Sequence, residues 1–246
     1  MRVIAYYAIH YGIEWLEWSI RSIKPYVDDI LVLYSDKPSH GHGTDIPCPD
    51  NKQDILSIAN KHGAVWAEMS SSRWEGDHRD QAVETCFDMG ADIVMVVDHD
   101  EIWESGMLQL CLRFVKDSPA RNYLVHMQHY WRSVSWVCYD ECMPVRFHKK
   151  PNETAGDVSI PREYGNVHHY GYAQSSPLID YKWLIHGHLG ELRPNWYQQK
   201  FLDWKPGGKD VHPTNYEEFW NPVPFDKTEL VNLIGDHPYY NLDIIL

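Results

Sequence analysis

Ile93-Val94-Met95-Val96-Val97 runs directly into Asp98-His99-Asp100-Glu101. Five consecutive apolar residues, three of them β-branched valines, predict a strand buried on both faces. The carboxylates that follow at once place charge at its carboxyl end. Upstream, residues 76–89 carry Ala82, Cys86 and Met89 on one side of a helix, and Gly90 ends it. Working back to the start, residues 2–9 and 30–34 read as compact apolar strands. Between them lies a helical pattern with Ile13, Leu16, Ile20 and Ile23 on one face, closed by Pro25. Residues 54–62 read as a helix stopped by Gly63, and 64–69 as a strand. Strand and helix alternate, which predicts an α/β fold with a mostly parallel central sheet covered by helices on both faces. Ligands of such sheets bind at the carboxyl ends of the strands. Residues 8–11, Ser35-Asp36 and Asp98 to Glu101 are therefore the positions to examine for function.

Beyond Ser118-Pro119 the pattern changes to short mixed strands at 123–130, 133–139, 144–148 and 167–173, with a helix expected over 177–188. Residues 35–50 and 149–165 read as polar loops rich in Pro and Gly. We expect one domain, 1–246, in which residues 1–104 form an α/β half and 105–246 a mixed, loop-rich half.

The chain has 246 residues, 22 basic and 35 acidic, for a net charge of −13. That balance disfavours a broad nucleic-acid footprint. Cysteines stand at 48, 86, 111, 138 and 142. Their odd number and the absence of a CxxC pair argue against a disulfide framework or a thiolate zinc site. The start of the chain lacks the character of a signal peptide, and no run of 18 apolar residues occurs. A cytoplasmic protein without integral membrane association is the expectation.

Two carboxylates two residues apart at a strand end repel one another unless a cation lies between them, and hard oxygen ligands suit Mg²⁺ or Mn²⁺. A solvated acidic turn before the helix that starts near Glu104 is the plainer alternative.

Several stretches carry a resemblance to a known family, among them Val3-Ile4-Ala5-Tyr6-Tyr7 with the helix after it and residues 30–35, which resemble its opening strand–helix–strand. Gly76-Asp77-His78-Arg79-Asp80-Gln81-Ala82 followed by Gly90 to Glu101 resembles the central block of GT-A fold glycosyltransferases, in particular the family 2-like group. Pro144-Val145-Arg146-Phe147 resembles a later PRLF-like strand of that family, and His168-His169-Tyr170-Gly171-Tyr172 its HYGY-like segment. The resemblance implies a GT-A-like fold and a metal-dependent transfer of a sugar from a nucleotide-sugar donor, most simply UDP-type, to an acceptor hydroxyl. It implies that Asp100 binds the divalent ion, Mn²⁺ or Mg²⁺, and that Asp98 meets the ribose or the ion through water. Arg79 would lie near the diphosphate, and His169 would complete the metal site. Tyr6, Ala8 and the end of the first strand, with Asp36, would hold base and ribose, Tyr6 either stacking on the base or serving as a core aromatic. If residues 167–173 form a strand, His168 and His169 point to opposite faces, so only one of them can reach the cleft; His186 and His188 are rivals.

An inverting transfer needs a base, and Asp157, Glu163 and Glu191 are the candidates. The chain departs from the family in having Ala8-Ile9-His10-Tyr11-Gly12 where Asn-Glu often follows the first strand. It also lacks a His-Glu pair between the PRLF-like and HYGY-like segments. The Trp and Tyr residues of the second half, among them Trp131, Trp183, Trp196, Trp204 and Trp220, offer stacking surfaces for a saccharide, a lipid-linked sugar or a modified DNA base, against plain packing as the alternative. Two other functions compete: a nucleotidyltransferase acting on an NTP and a sugar phosphate, and a non-catalytic carbohydrate-binding protein. The first usually carries a Gly-rich, Lys-containing loop after the first strand, which is missing here, and the second needs no acidic pair.

Overall fold

The structure, a computed structural model, describes residues 1–38, 44–69, 75–139, 141–150, 156–214 and 220–246. The stretches 39–43 and 151–155 of the two expected loops lie outside the described residues.

The first half follows the alternation expected from the sequence. Strand β1 (Val3–Ile9) leads to helix α1 (Ile13–Ile23), β2 (Asp29–Ser35), α2 (Lys52–Lys61), β3 (Val65–Met69), α3 (Glu75–Asp88) and β4 (Ile93–Val96). β1 pairs in parallel with β2 and with β4, and β2 with β3. Alternate residues of β1 serve the two faces. Val3, Ala5, Tyr7 and Ile9 pack with Leu16, Ile20 and Ile23 of α1 and with Ile55 and Ala59 of α2. Ile4 and Tyr6 pack with Ala82 and Cys86 of α3. This double burial explains why the strands read as continuous apolar runs. The α/β architecture with a mostly parallel central sheet is the one expected.

The second half does more than flank that sheet. After β5 (Glu101–Ile102) and α4 (Ser105–Asp117), the run expected as one strand over 123–130 divides into β6 (Asn122–Leu124) and β7 (Met127–Trp131). These belong to different sheets. β8 (Trp136–Cys138), β9 (Val145–Lys149), β10 (Asp157–Ser159), β11 (Val167–Tyr172), helix α5 (Ser176–Leu184), β12 (Val223–Pro224) and the short α6 (Val231–Ile234) follow. The central sheet has the order β10-β6-β9-β4-β1-β2-β3, and a second sheet the order β12-β8-β7-β11-β5. β9 enters the central sheet antiparallel to β4. Periodicity alone could not divide 123–130, because apolar and polar residues are mixed in both strands and the strands are told apart by their partners.

Helix α1 sits between the two sheets. Its Leu16 side faces the central sheet, while Trp15 enters a core built on the second sheet with Ile102, Tyr130, Val137 and Tyr170. The Trp15 ring is stacked on Tyr170 at 4.0 Å between centroids and on His237 at 3.7 Å, and Tyr170 is stacked in turn on Tyr130 at 4.3 Å. Trp15 Nε1 donates to the Ala173 carbonyl at 2.9 Å. The four-ring column ties the C-terminal segment to α1 and to the second sheet. Most of the aromatic residues of the second half are likewise packing groups: Trp131, Trp196, Phe201, Trp204 and Trp220 form one buried cluster.

His237 has its tautomer set by two contacts. Its Nε2–H donates to the Glu14 carbonyl at 2.8 Å, and its Nδ1 accepts from the Tyr239 backbone N–H at 3.0 Å. Burial lowers its pKa to about 4, with the Glu14 carbonyl and Asp236 pulling weakly the other way. The folded protein therefore holds this ring neutral at a pH where the unfolded chain, with a value near 6.5, takes up a proton. Its stabilising contribution is present in full above pH ~6.5 and is lost as the pH falls toward 4, by up to about 3 kcal/mol for a shift of this size. Wild type should lose urea resistance between pH 7.5 and pH 5. His237→Phe should be less stable at pH 7.5 but show a flatter decline. Some slope should remain, because His148 is also held down to about 4 by burial. An unchanged slope in the variant would show that His237 does not carry the effect.

Candidate active site

A cleft of about 280 Å³ opens at the carboxyl ends of β1, β2 and β4. Ala8, His10 and Tyr11 reach it from β1 and the turn that follows, Ser35 and Lys37 from the end of β2, and Arg79 from α3. Asp98, His99 and Asp100 form its floor, and His169, Lys182, His186 and His188 close it from the second half. A left-handed turn brings the chain back under the cleft at Gly12 (φ 126°), where a Cβ would fall within 2.0 Å of the His99 ring. Only glycine fits there. Asp50 caps this start of α1, accepting from the backbone N–H groups of Gly12 and of Ile13, the latter at 3.0 Å.

The acidic residues are not equivalent. Asp98 is partly exposed, and both of its oxygens are engaged: Oδ1 by Arg79 Nη2 at 3.2 Å and Oδ2 by Arg146 Nη2 at 2.7 Å. Burial works to raise its pKa, but the two guanidinium groups hold it well below the usual carboxylate range. Asp100 is 2% exposed. Its Oδ1 lies 3.5 Å from His169 Nε2, while its Oδ2 accepts from Gln174 Nε2 at 2.8 Å and stands 3.6 Å from His99 Nε2 and 3.8 Å from Lys182 Nζ. Burial opposes its ionisation too, and His99, His169 and Lys182 overcome that cost. Asp100 in turn raises the pKa of His169 against the effect of burial. Glu101, fully buried, accepts from Arg146 Nε at 2.8 Å, and burial pushes it up to about 7 against the pull of that guanidinium.

His169 and His168 point to opposite sides of β11, as strand alternation requires. His169 lines the cleft. His168 contacts Glu104 Oε1 at 2.9 Å through Nε2 and the Tyr130 hydroxyl at 2.9 Å through Nδ1. The pairing of β11 with β5 sets His169 opposite Glu101, and its pairing with β7 sets it opposite His129. Gly171 leaves room for the ring, since a Cβ there would lie 2.7 Å from His169 Cε1.

Among the described residues no three His, Cys, Asp or Glu side chains are gathered as an ion site. Asp100 and His169 nonetheless fit a shared divalent ion. Their 3.5 Å separation is close to the roughly 3 Å edge of an octahedron with bonds of about 2.1 Å. A carboxylate with an imidazole suits Mn²⁺. Two protein ligands leave the remaining positions open to the oxygens of a ligand in the cleft.

Other residues singled out in the sequence lie elsewhere. Tyr6 is buried in the core layer under α3, with Arg79 near its hydroxyl, and its ring does not line the cleft. Asp36 is exposed just beyond Ser35. Asp157 lies on the edge strand β10, four strands from β1, where Asn122 Nδ2 donates to it at 2.8 Å. Glu163 is exposed in a turn at 162–164. Glu191 is exposed but tied to the cleft-lining His188, whose Nδ1 is 3.3 Å from its Oε2. The expected helix over 177–188 ends at Leu184, which frees His186 and His188 to turn into the cleft.

Two participants are not assigned from the sequence, Lys182 as a cleft residue and Arg146 as the partner of two acids, while His10 falls inside the strand-end stretch 8–11 and lines the cleft. His10 is fixed by donating from Nδ1 to the Ser35 carbonyl at 2.9 Å and by its Nε2 contact with the Tyr181 hydroxyl at 2.7 Å. For Arg146 the signal was present: a cation between the apolar Val145 and Phe147 of a strand asks for a buried anion. Among the described residues, no helix is long and apolar enough to cross a membrane.

No family model matches the chain, and no curated protein does. Among solved structures, glucosyl-3-phosphoglycerate synthase from Mycobacterium tuberculosis with Mn²⁺, UDP and phosphoglyceric acid is similar over 75% of this chain and 74% of its own, at 13% identity and a TM-score of 0.44. The same enzyme with Mn²⁺ and UDP-glucose is similar over 53% of this chain and 44% of its own, at 15% identity and a TM-score of 0.36. TarS residues 1–349 from S. aureus are similar over 52% of this chain and 36% of their own, at 13% identity and a TM-score of 0.37. In the last two comparisons the chain spans less than half the length of the protein it resembles.

Proposed function

We propose that this protein is a metal-dependent glycosyltransferase of GT-A type, moving a sugar from a UDP-type nucleotide-sugar donor to an acceptor hydroxyl. The observation that carries the reading is the juxtaposition of Asp100 and His169 in a cleft at the strand ends, 3.5 Å apart, beside the Arg79–Asp98 pair. A sugar transfer from a nucleoside diphosphate develops negative charge on the departing diphosphate. Asp100 and His169 would hold Mn²⁺ or Mg²⁺, and a bound ion supplies charge neutralisation for that leaving group. Arg79 from α3 and Lys182 from α5 add fixed positive charge to the cleft lining. Arg79 presents its guanidinium to Asp98 and is placed to offer a second edge to a phosphate. Ala8 and Ser35, at the ends of β1 and β2, leave space and a polar rim for base and ribose, with Asp36 adjacent.

Asp98 and Asp100 are each held by cations, so neither is suited to take a proton from the acceptor. Glu191, linked through His188 to the cleft mouth, is the base this reading favours over Asp157 and Glu163. The acceptor approaches from the His186–His188 side, where the second half frames the opening.

Asp100→Asn and His169→Ala should each weaken Mn²⁺-dependent UDP binding at least tenfold by calorimetry and keep a wild-type circular dichroism spectrum. His168→Ala should leave that binding unchanged. Equal sensitivity of His168 and His169 would refute the metal assignment. Arg79→Ala should keep the fold and raise the donor KM or lower kcat by ten- to a hundredfold, the range for one charge-assisted hydrogen bond of about 1.5–3 kcal/mol. A large fall in Tm with normal kinetics would make Arg79 structural instead. Glu191→Gln should lower kcat without changing UDP affinity; full activity in that variant would remove it as the base.

A further inference from the structure

The reach of the site extends one residue behind His169. β7 and β11 run in parallel with His129 directly opposite His169, and the two Nδ1 atoms lie 2.8 Å apart. That is a hydrogen bond between two imidazoles, and a single hydrogen serves it: one ring donates and the other accepts. The opposite edge of the His169 ring, Nε2, faces Asp100 Oδ1 at 3.5 Å. An imidazole that gives its Nε2 lone pair to an ion must carry its proton on Nδ1, and that N–H needs an acceptor. The atom standing there is Nδ1 of His129. His129 is itself buried, and its ring is stacked on Trp220 at 4.7 Å between centroids and 28° between planes. The stack restrains the His129 ring against rotation.

We propose that His129 is a positioning residue: it accepts the Nδ1–H of His169 and so keeps the Nε2 lone pair of His169 aimed at an ion shared with Asp100. The inference rests on the metal reading given above. It adds that the second sheet and the segment carrying Trp220 set the donor properties of the cleft imidazole. His129 does not touch the cleft; it acts through His169.

The test is Mn²⁺ affinity in the presence of UDP, read from the free-ion EPR signal, for wild type and two variants. His129→Leu removes the acceptor and should weaken Mn²⁺ binding ten- to a hundredfold, the range for loss of such an outer partner. His129→Asn places an amide oxygen near the position of Nδ1 and should stay close to wild type. Equal affinity of wild type and His129→Leu, or failure of Asn to rescue a folded Leu variant, overturns the inference while leaving Asp100 and His169 as ligands. Absence of Mn²⁺ binding in wild type overturns the metal reading and this inference with it. Should His129→Leu not fold, two-bond ¹⁵N–¹H spectra of the wild type with Mg²⁺ and UDP decide. A proton on His169 Nδ1 and none on His129 Nδ1 is expected, and the reverse assignment refutes it.

Discussion

The Arg146 guanidinium holds together the point at which the chain passes from one sheet to the other. It stands in β9 of the central sheet and binds Asp98, at the end of β4, and Glu101, at the start of β5 in the second sheet. A buried cation with two anions is costly to assemble and more costly to break, because removing one member strands the others in a medium of low dielectric. The spacing between the two acids is thereby fixed, and Asp100 lies between them. Its carboxylate is turned away from Arg146 toward Gln174, His99 and His169. The acidic turn is therefore divided: Glu101 belongs to the junction alone, Asp100 to the cleft, and Asp98 to both.

The same junction explains how residues far apart in sequence meet. β5 is only two residues long, yet it joins the second sheet at β11 and thereby sets His169 opposite Glu101. β11 in turn brings in β7 and His129. On the other side, α1 carries Leu16 to the central sheet and Trp15 to the second, so one helix closes both cores. The stacked rings of Tyr130, Tyr170, Trp15 and His237 give this contact its area and its fixed spacing. Two sheets and one helix converge behind the floor of the cleft. Its mouth, at His186 and His188, follows the end of α5 and is built from turns.

Much of this was legible in the residues themselves. β1, β2 and β4 were readable because they are buried on both faces, so nearly every position must be apolar or small, a signal that needs no knowledge of partners; β3, an edge strand with Val65 and Glu68 exposed, was marked instead by the helix stop at Gly63 just before it. The cleft end of the sheet was also legible: the hydrophobic run of β4 stops short of Asp98, and charge at that point has to face a cleft or a cation. The alternation of His168 and His169 was also local, since successive side chains of a strand point to opposite faces. By contrast, the second half mixes strands of both sheets. β6 and β7 are adjacent in sequence and similar in composition, and only hydrogen-bond partners drawn from β9 and β11 separate them. The loop carboxylates Asp157, Glu163 and Glu191 were indistinguishable in the sequence, because an acidic residue in a polar loop looks the same whether or not the loop returns to the site.

Local chemistry along the chain thus dictated the parallel sheet, its ligand-binding end and the acidic turn, since burial on two faces and period-two alternation are properties of short segments. Which cations answer those acids was decided only in three dimensions. Arg79, Arg146, His169 and Lys182 come from four separate elements, and the energy that selects them is Coulombic and falls with distance in space, not with separation along the chain.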